Sequence, residues 1–469
     1  MKKEEQKKEK VLKEEEILKE KSKILSIKEG SGFSVMSGFG VRYITPYALA
    51  LGATNTIIGL LSSLPSLLGT LSQIQSSKLI EKIPRKKIVV TSALLQGIMW
   101  LPLIVVGVLY FFFGLSSFIS SILLLVFYTL TILFGSFCSP AWNSWMKDLV
   151  GDNPSEYFGK RTKILTFVEL ISMLLAGFIL EHYKKTGIFT GFLILFMIAI
   201  AGRLISAYIL SKKYEPKITH TEGYYFTLFQ FLKKMGHNNF GKFVIFTTLI
   251  SFATAIASPF FAVYMLKDLG LNYYEFTIVS VTSILFTVIM LPFWGKFSSK
   301  YGNITVIKIS GIFVGIIPIL WLLSPLILDY NKILLVPYLI LIEIFSGFWW
   351  SGLNLSTANF VYDAVTKGRM AICIAYNNIT TAIGVFIGAL IGGIISSLPY
   401  SIIGLKPILF VMLLSGVVRL LVSIIMLPKL KEVRIVEKFE MKSIKTKLRI
   451  IPKYISLGVR RAGYTSQTN

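Results

Sequence analysis

Long apolar segments recur along the whole chain, and they constrain its fold more than any other feature. A helix that crosses a membrane needs about 20 mostly apolar residues. Backbone polar groups inside a bilayer must be hydrogen-bonded within the segment, so each such segment is predicted to be an α-helix. The sequence therefore predicts an all-α polytopic membrane protein with twelve transmembrane helices. We place them at residues 32–53, 56–77, 88–110, 117–139, 162–182, 187–210, 243–266, 274–295, 304–326, 333–355, 372–396 and 405–427.

Charge is distributed along this chain as it is in polytopic membrane proteins. Charged residues make up 16% of the sequence, whereas soluble domains carry about 25%. The 49 Lys and Arg outnumber the 24 Asp and Glu, but they cluster in short connections between apolar segments, which disfavours nucleic acid as a partner. When alternate connections are assigned to one side, most basic residues fall with the two tails. Both termini are therefore predicted to lie on the cytoplasmic side of the cytoplasmic membrane.

The sequence offers no pattern for metal, disulfide or enzyme chemistry. Cys138 and Cys373 both lie in apolar segments, and the three histidines are scattered, so neither a disulfide framework nor a metal site is predicted. Residues 236–243 come close to a phosphate-binding loop, but Phe243 stands where a hydroxyl must hold magnesium. No spacing of Ser, His and Asp or of paired carboxylates is typical of an enzyme. We therefore predict no cofactor and no enzymatic activity.

Polar, charged segments flank and divide the apolar region. Residues 1–30 form a charged tail predicted to be an amphipathic helix that rests on the anionic inner leaflet, with a coiled-coil partner as the alternative. Residues 212–241 form a central cytoplasmic loop, and residues 429–469 form a basic cytoplasmic tail. The remaining residues divide into two six-helix halves, 31–211 and 242–428.

Weak sequence similarity relates the two predicted halves. Three short matches lie at nearly the same offset: residues 77–82 with 295–300, 134–137 with 345–348, and 203–206 with 419–423. Transporter folds often contain such internal repeats. The repeat predicts two pseudo-symmetric six-helix bundles.

The connections after the second and eighth segments resemble the signature of the major facilitator superfamily, Gly-x-x-x-Asp-Arg/Lys-x-Gly-Arg/Lys-Arg/Lys. Its positions are taken here by Ser77, Glu81, Lys82, Pro84, Arg85 and Lys86, and by Gly295, Ser299, Lys300, Gly302 and Asn303. The resemblance, to permeases of the prokaryotic type, implies the twelve-helix fold of that family and secondary transport by alternating access. It also implies a cytoplasmic gate, to which we assign Glu81, Lys82, Arg85, Lys86, Gly295, Lys300 and Gly302.

Multidrug antiport is not the default within this family. Drug/proton antiporters carry an arginine in the fourth helix and a Gly-Pro motif in the fifth. Segment 117–139 has no arginine, and segment 162–182 has no proline. The substrate class therefore stays open on the sequence alone.

Five ionisable residues stand inside the predicted spans: Arg42, Glu169, Arg203, Glu343 and Arg419. Each costs about 2.5–3.5 kcal/mol to insert, so each needs a partner or a cavity. The resemblance implies that the first and tenth helices line the central cavity, where Arg42 and Glu343 lie near the midplane. We predict that Glu343 or Glu169 carries a coupling proton and that Arg42 holds substrate or the carboxylate; a structural ion pair is the alternative. Arg203 and Arg419 recur in both halves and are predicted to be structural.

Polar and aromatic side chains of the tenth and eleventh segments complete the predicted substrate path. Buried amides need hydrogen-bond partners, and aromatic rings can stack on a flat ligand. The residues concerned are Trp349, Trp350, Asn354, Asn377 and Asn378. The interfacial aromatic belt is the alternative for the two tryptophans. The glycines at 384, 388, 392 and 393 form a ridge of small residues that predicts close helix packing.

Transport is the function that these features favour. We predict a monomeric secondary active transporter that moves a small molecule, is coupled to protons and contacts membrane lipids. A uniporter of the same fold and a non-transporting membrane sensor or assembly protein are the alternatives. The buried charges at 42 and 343 favour transport, because a protein that does not transport needs no polar path at mid-membrane.

Labelling with a membrane-impermeant thiol reagent tests the predicted orientation. Cysteines placed at Phe113 and Lys185 should react in intact cells, because both positions lie in connections on the side away from the termini. Cysteines at Lys86 and Lys300 should react only after the membrane is permeabilised. The reverse pattern would place both termini outside the cell and contradict the assignment.

Overall fold

The computed structural model describes residues 2–80, 82–151, 154–216, 227–366 and 369–437. Within these residues, eleven helices are long and apolar enough to cross a membrane. We label them α2 Asn55–Leu79, α3 Arg85–Phe113, α4 Ser117–Val150, α5 Glu156–Tyr183, α6 Ile188–Ser211, α7 Asn239–Asp268, α8 Tyr273–Tyr301, α9 Asn303–Tyr330, α10 Lys332–Ala364, α11 Ile372–Ser396 and α12 Pro407–Lys429. A short helix, Leu228–Lys234, precedes α7 and begins with a capping box at Thr227.

The first membrane helix, α1, is interrupted near its middle. It consists of Lys2–Phe39, a 3-10 turn at Val41–Tyr43, and Ile44–Ala50. Pro46 explains the break, because a proline donates no backbone hydrogen bond and its ring clashes with the carbonyl four residues earlier, that of Arg42. Gly40 permits a close contact at the same place, since a Cβ there would overlap the Trp100 ring. With α1 included, the structure has the twelve helices that the sequence predicts.

The seventh helix is interrupted at the equivalent place. Its regular α-helical segment ends at Ala255, and Pro259 follows four residues later. Phe260–Val263 and a π-helical turn at Tyr264–Asp268 complete α7. Pro46 and Pro259 are separated by nearly the offset of the sequence repeat. Both halves of the protein therefore begin with a helix that proline breaks at mid-membrane.

The two halves repeat one packing pattern. In the first half, α1 packs against α5 and α6, α2 against α4, and α3 against α6. In the second half, α7 packs against α11 and α12, α8 against α10, and α9 against α12. The halves meet through α2 with α11 and α5 with α8, two pairs that the repeat makes equivalent. The prediction of two pseudo-symmetric six-helix bundles is confirmed.

The charged N-terminal segment is continuous with the membrane helix. Lys2–Phe39 forms one helix, so this segment leaves the bundle along the axis of α1 rather than as a separate helix lying flat on lipid. Hydrogen bonds from tyrosines of the first half are among the contacts that hold it. Tyr214 donates its backbone N–H to the Ser22 hydroxyl at 2.9 Å, and the Tyr157 hydroxyl donates to the Lys23 carbonyl at 2.8 Å.

The hydrogen bonds between the halves lie at one end of the bundle and at mid-depth. We call the end that carries the two termini the terminal end and the opposite one the distal end. At the distal end, Asn55 Nδ2 donates to the Ser396 carbonyl at 2.9 Å, and the Thr56 and Ser397 hydroxyls lie 3.0 Å apart. Deeper in the bundle, the Tyr43 and Thr277 hydroxyls lie 2.6 Å apart.

The terminal end lacks such bonds. Among the described residues, no hydrogen bond or ion pair joins the halves there. In the described part of the chain, the hydrogen bonds between the halves are therefore confined to the distal end and to mid-depth.

The glycine ridge of α11 contacts backbone, as the sequence predicts. A Cβ at Gly384 would lie 2.7 Å from the Thr248 carbonyl oxygen of α7. A Cβ at Gly388 would overlap the Phe252 carbonyl. Gly393 faces the start of α2 instead, where a Cβ would lie 3.0 Å from the Thr56 Cα. The ridge thus brings α11 to backbone distance from both α7 and α2.

Replacing a ridge glycine tests this contact. Gly388→Ala should lower the melting temperature in detergent, because the new methyl group must push α11 away from α7; overpacking of this kind costs about 1–3 kcal/mol. Gly159→Ala in α5 is the matched control, since a Cβ there meets nothing within 4 Å. Equal melting temperatures for both variants would contradict the close approach of the two helices.

Candidate functional site

A cavity of about 450 Å³ lies between the halves, where the two broken helices meet. We call it the central cavity. The break in α1 brings Arg42 and Tyr43 to its wall, and the break in α7 brings Ser258. Its ionisable lining groups also include Glu343 of α10 and Arg419 of α12. The central cavity therefore joins residues from both halves at mid-membrane.

Glu343 faces the central cavity without a counter-ion. It lies beside the Ser283 hydroxyl of α8, and it forms no ion pair with any of the described residues. Ser346, one turn further along α10, lies 3.5 Å from Ser283. An uncompensated carboxylate is costly in such a place. Glu343 therefore needs a proton, a cation or a moving basic side chain to neutralise it.

Arg42 pairs with the other predicted carboxylate. Arg42 Nε donates to Glu169 Oε1 over 2.8 Å, and the Ser37 hydroxyl donates to the same oxygen over 3.0 Å. The Arg42 side chain is 44% exposed and that of Glu169 is 18% exposed. Ion pairs with this exposure contribute about 0–1 kcal/mol. The Arg42–Glu169 ion pair is therefore weak enough for Arg42 to change partners. Glu343, which lines the same cavity as Arg42, is the other carboxylate that it can pair with.

Arg203 and Arg419, which stand at equivalent positions in the two halves, are both buried and donate hydrogen bonds to helix groups. Arg419 is 2% exposed and donates to the carbonyls of Val314 and Thr254, at 3.2 and 3.4 Å. Arg203 is 3% exposed and donates to the Ser206 hydroxyl at 3.1 Å. Neither forms an ion pair within the described part of the chain. Arg419 thus ties α12 to the backbones of α7 and α9.

A second cavity of about 490 Å³ lies between α7, α10 and α11. We call it the amide cleft, because Asn354, Asn377 and Asn378 line it. Thr247 donates its hydroxyl to Asn377 Oδ1 at 2.8 Å. Trp350 lines both this cleft and the central cavity, so the two cavities adjoin.

Trp349 lines neither of these two cavities. Its ring stacks on Phe313 of α9 with centroids 4.0 Å apart and planes inclined by 9°. Trp294 and Phe348 contact it as well. Of the two adjacent tryptophans predicted for the substrate path, the structure places Trp350 on the cavities and Trp349 in an aromatic cluster between α8, α9 and α10.

The predicted gate residues of the first half bind within that half. Arg85 is fully buried and donates to Asp148 Oδ2 at 2.6 Å and to the Pro216 carbonyl at 2.8 Å. Lys86 donates to the Lys213 carbonyl at 2.9 Å. Lys82 is exposed and makes no such contact with the described residues, and the predicted gate residue Glu81 lies outside them.

The second half contains a related cluster with its arginine in a different place. Asp363 Oδ2 accepts from Asn303 Nδ2 at 2.7 Å and pairs with Arg434 Nε at 3.1 Å. Asp363 and Asp148 are separated by nearly the repeat offset, as are Asn303 and Arg85. The cation therefore comes from the first residue of α3 in the first half and from the segment after α12 in the second.

Of the predicted gate residues in the second half, Lys300 and Gly302 lie against the segment after α12, and Gly295 has no close neighbour. Lys300 pairs with Glu437 at 3.3 Å. Gly302 has a φ of +90°, and a Cβ there would overlap the Glu432 carboxylate, which accepts from the Ile304 N–H at 2.9 Å. Gly295 has room around it, with its nearest neighbour 3.9 Å from a Cβ. The sequence analysis missed this docked segment, although Glu432 repeats the position of Glu215.

The sequence analysis also missed a polar cluster at the terminal end of the first half. Glu29 is 3% exposed and accepts from Trp142 Nε1 at 3.1 Å and Arg161 Nη2 at 3.3 Å. Lys213 lies behind it over the Trp145 ring, and burial lowers the pKa of this lysine to about 8. Glu29 was overlooked because it belongs to a segment rich in exposed Lys and Glu.

Solved transporters share this fold. The nucleoside transporter NupG is 16% identical with a TM-score of 0.64, over 88% of this chain and 100% of that one. A bacterial homologue of the iron transporter ferroportin in its inward-facing state is 13% identical with a TM-score of 0.65, over 88% and 98%. A POT family transporter in complex with 5-aminolevulinic acid is 15% identical with a TM-score of 0.63, over 86% and 96%. At these identities the likeness concerns the fold alone.

The family is shown by the sequence itself. No curated protein matches the chain. The model of the Major Facilitator Superfamily matches residues 30–389 and 243–456. These matches cover both six-helix bundles, the two broken helices and the loops that carry the gate residues. The chain therefore belongs to the Major Facilitator Superfamily of membrane transporters.

Proposed function

We propose that this transporter moves a small molecule across the cytoplasmic membrane by alternating access and couples that movement to protons through Glu343. The observation that carries the proposal is a carboxyl group without a counter-ion on the cavity where the two halves meet. The excess of basic residues at the terminal end supports a cytoplasmic location for both termini.

The contacts between the halves support alternating access. Bonds across the interface lie at the distal end and at mid-depth, while the gate residues at the terminal end bind within their own halves. With the termini in the cytoplasm, this arrangement is open to the inside. The opposite state requires the distal bonds to break and the gate loops to meet. A few hydroxyl and amide bonds are a low enough barrier for such an exchange.

The charges on the central cavity support proton coupling. Glu169 is neutralised by Arg42, whereas Glu343 lies beside the Ser283 hydroxyl and forms no ion pair among the described residues. A proton on Glu343 leaves the Arg42–Glu169 pair undisturbed. Loss of that proton creates a carboxylate on the cavity that Arg42 also lines and draws Arg42 away from Glu169. Protonation would thus determine which carboxylate holds Arg42, and the two carboxylates lie in different halves.

Substitution of Glu343 tests the coupling. In proteoliposomes with an imposed pH gradient, Glu343→Gln should abolish accumulation of a radiolabelled solute chosen by thermal-shift screening. Counterflow exchange should stay within about twofold of wild type, because glutamine mimics the protonated acid and leaves binding intact. Asp329→Asn, which removes an exposed carboxylate at the distal end, should change neither activity.

The same assay separates the alternatives. If Glu343→Gln and Glu169→Gln both concentrate the solute as well as wild type, protons are not coupled through these carboxylates. If wild type exchanges solute but never concentrates it, the protein is a uniporter. If wild type neither exchanges nor concentrates any solute that stabilises it, the non-transporting alternative is favoured.

Weakening the distal end tests alternating access. The double variant Thr56→Val and Ser397→Ala removes hydroxyl bonds across the halves and should favour the outward-open state. A loss of 1–2 kcal/mol changes a two-state population by about 5- to 30-fold. Labelling of a cysteine at Ser280 on the central cavity by an external impermeant reagent should rise accordingly.

The control for this experiment is Ser77→Ala. The Ser77 hydroxyl bonds only within α2, at the exposed surface of that helix, so this variant should label like the parent. Unchanged labelling in the Thr56/Ser397 double variant would show that these bonds do not hold the distal end closed.

A further inference from the structure

We propose that the amide cleft binds an uncharged ring bearing several hydroxyl groups, such as a free sugar or the ribose of a nucleoside. This inference rests on the proposed transport function, since it names the class of solute transported. It assigns recognition to the amide cleft and leaves the ionisable groups of the central cavity to coupling.

The lining of the amide cleft excludes an ionised ligand. None of the described residues that line it is Asp, Glu, Lys, Arg or His. An ion moved from water into this site would lose its hydration without gaining a counter-charge, which is strongly unfavourable. The ionisable groups Arg42, Glu343 and Arg419 line the adjoining central cavity instead. The cleft therefore selects for a neutral solute.

The cleft presents unused hydrogen-bonding groups of both kinds. An asparagine amide both donates and accepts, and the side chains of Asn354 and Asn378 have no hydrogen-bond partner in the described part of the protein. Asn377 uses only its oxygen, to accept from Thr247. The Thr381 hydroxyl, also on the lining, is buried without a partner. A hydroxyl group matches such sites because it too donates and accepts.

The rest of the cleft fits a ring. Trp350 supplies a flat indole at the junction with the central cavity, against which the apolar face of a sugar or a base can stack. Its orientation is supported from behind by Arg419, whose guanidinium lies 6.0 Å from the ring centroid. The volume of about 490 Å³ lies within the usual 300–1,000 Å³ range for small-molecule sites. One ring or a ring pair is accommodated.

Matched neutral and charged ligands test the proposal. The purified full chain is titrated with a panel of neutral sugars and nucleosides headed by glucose and uridine, and with glucosamine, glucuronate and uridine 5′-monophosphate. At least one neutral compound should raise the melting temperature, and its charged counterparts should bind at least about tenfold more weakly. Stabilisation by glucose or by uridine identifies the sugar or the nucleoside as the source of the ring.

Isosteric variants locate the binding to the cleft. Asn378→Asp and, independently, Asn354→Asp place a carboxylate among the unused amides and should weaken binding of the neutral compound by about tenfold or more. Asn331→Asp is the matched control: this asparagine caps the start of α10 at the distal end, where aspartate caps equally well. Because one variant could misfold, each is used only if its melting temperature without ligand matches wild type.

The outcomes distinguish this inference from the coupling mechanism. Equal binding of neutral and charged members, binding of charged members alone, or no stabilisation by any neutral compound would overturn the assignment. So would unchanged affinity in both aspartate variants. If wild type binds the neutral compound selectively but Glu343→Gln still accumulates solute under a pH gradient, the coupling proposal fails and the cleft assignment stands.

Discussion

A helix inside a bilayer must satisfy its own backbone hydrogen bonds, and this protein departs from that rule beside its central cavity. Pro46 and Pro259 break α1 and α7 at equivalent depths. Irregular backbone is tolerated at membrane depth only where protein covers it or water reaches it. The breaks therefore belong on a cavity, and they carry Arg42 and Ser258 to its wall. The position of the polar path is in this sense a consequence of two prolines.

The buried charged side chains differ in the partners that compensate their charge, and this difference supports a role for Glu343 in proton binding. Arg85 is held by Asp148 and a backbone carbonyl, and Arg419 by backbone carbonyls alone. Arg42 has Glu169. Glu343 has no ionic partner among the described residues, so its charge is costly to keep. A structural carboxylate would be matched permanently; one that binds and releases a proton is matched only part of the time.

The fold could be predicted because its signals are local, whereas much of the site depends on distant residues. Apolar runs of about 20 residues define the helices one by one, and the repeat offset relates the halves. The Arg42–Glu169 pair joins residues 127 positions apart, with no local pattern to announce it. Trp349 and Trp350 are adjacent but face about 100° apart on a helix, so only the neighbouring helices decide which one lines the path. The break at Arg42 could have been predicted from the sequence, because Pro46 stands four residues later.

The charge clusters at the terminal end explain how each half can move as a unit. When the halves part at this end, the loops that would otherwise bridge them need partners of their own. Arg85 finds them in Asp148 and the segment after α6, and Asp363 finds them in Asn303 and Arg434 after α12. Under the proposed alternating-access cycle, these bonds would compete with contacts across the interface for the same side chains. Opening would then be an exchange of partners rather than a net loss of bonds, which would keep the two states close in free energy. Because the second cluster takes its arginine from the segment after α12, docking of that segment would contribute directly to this balance.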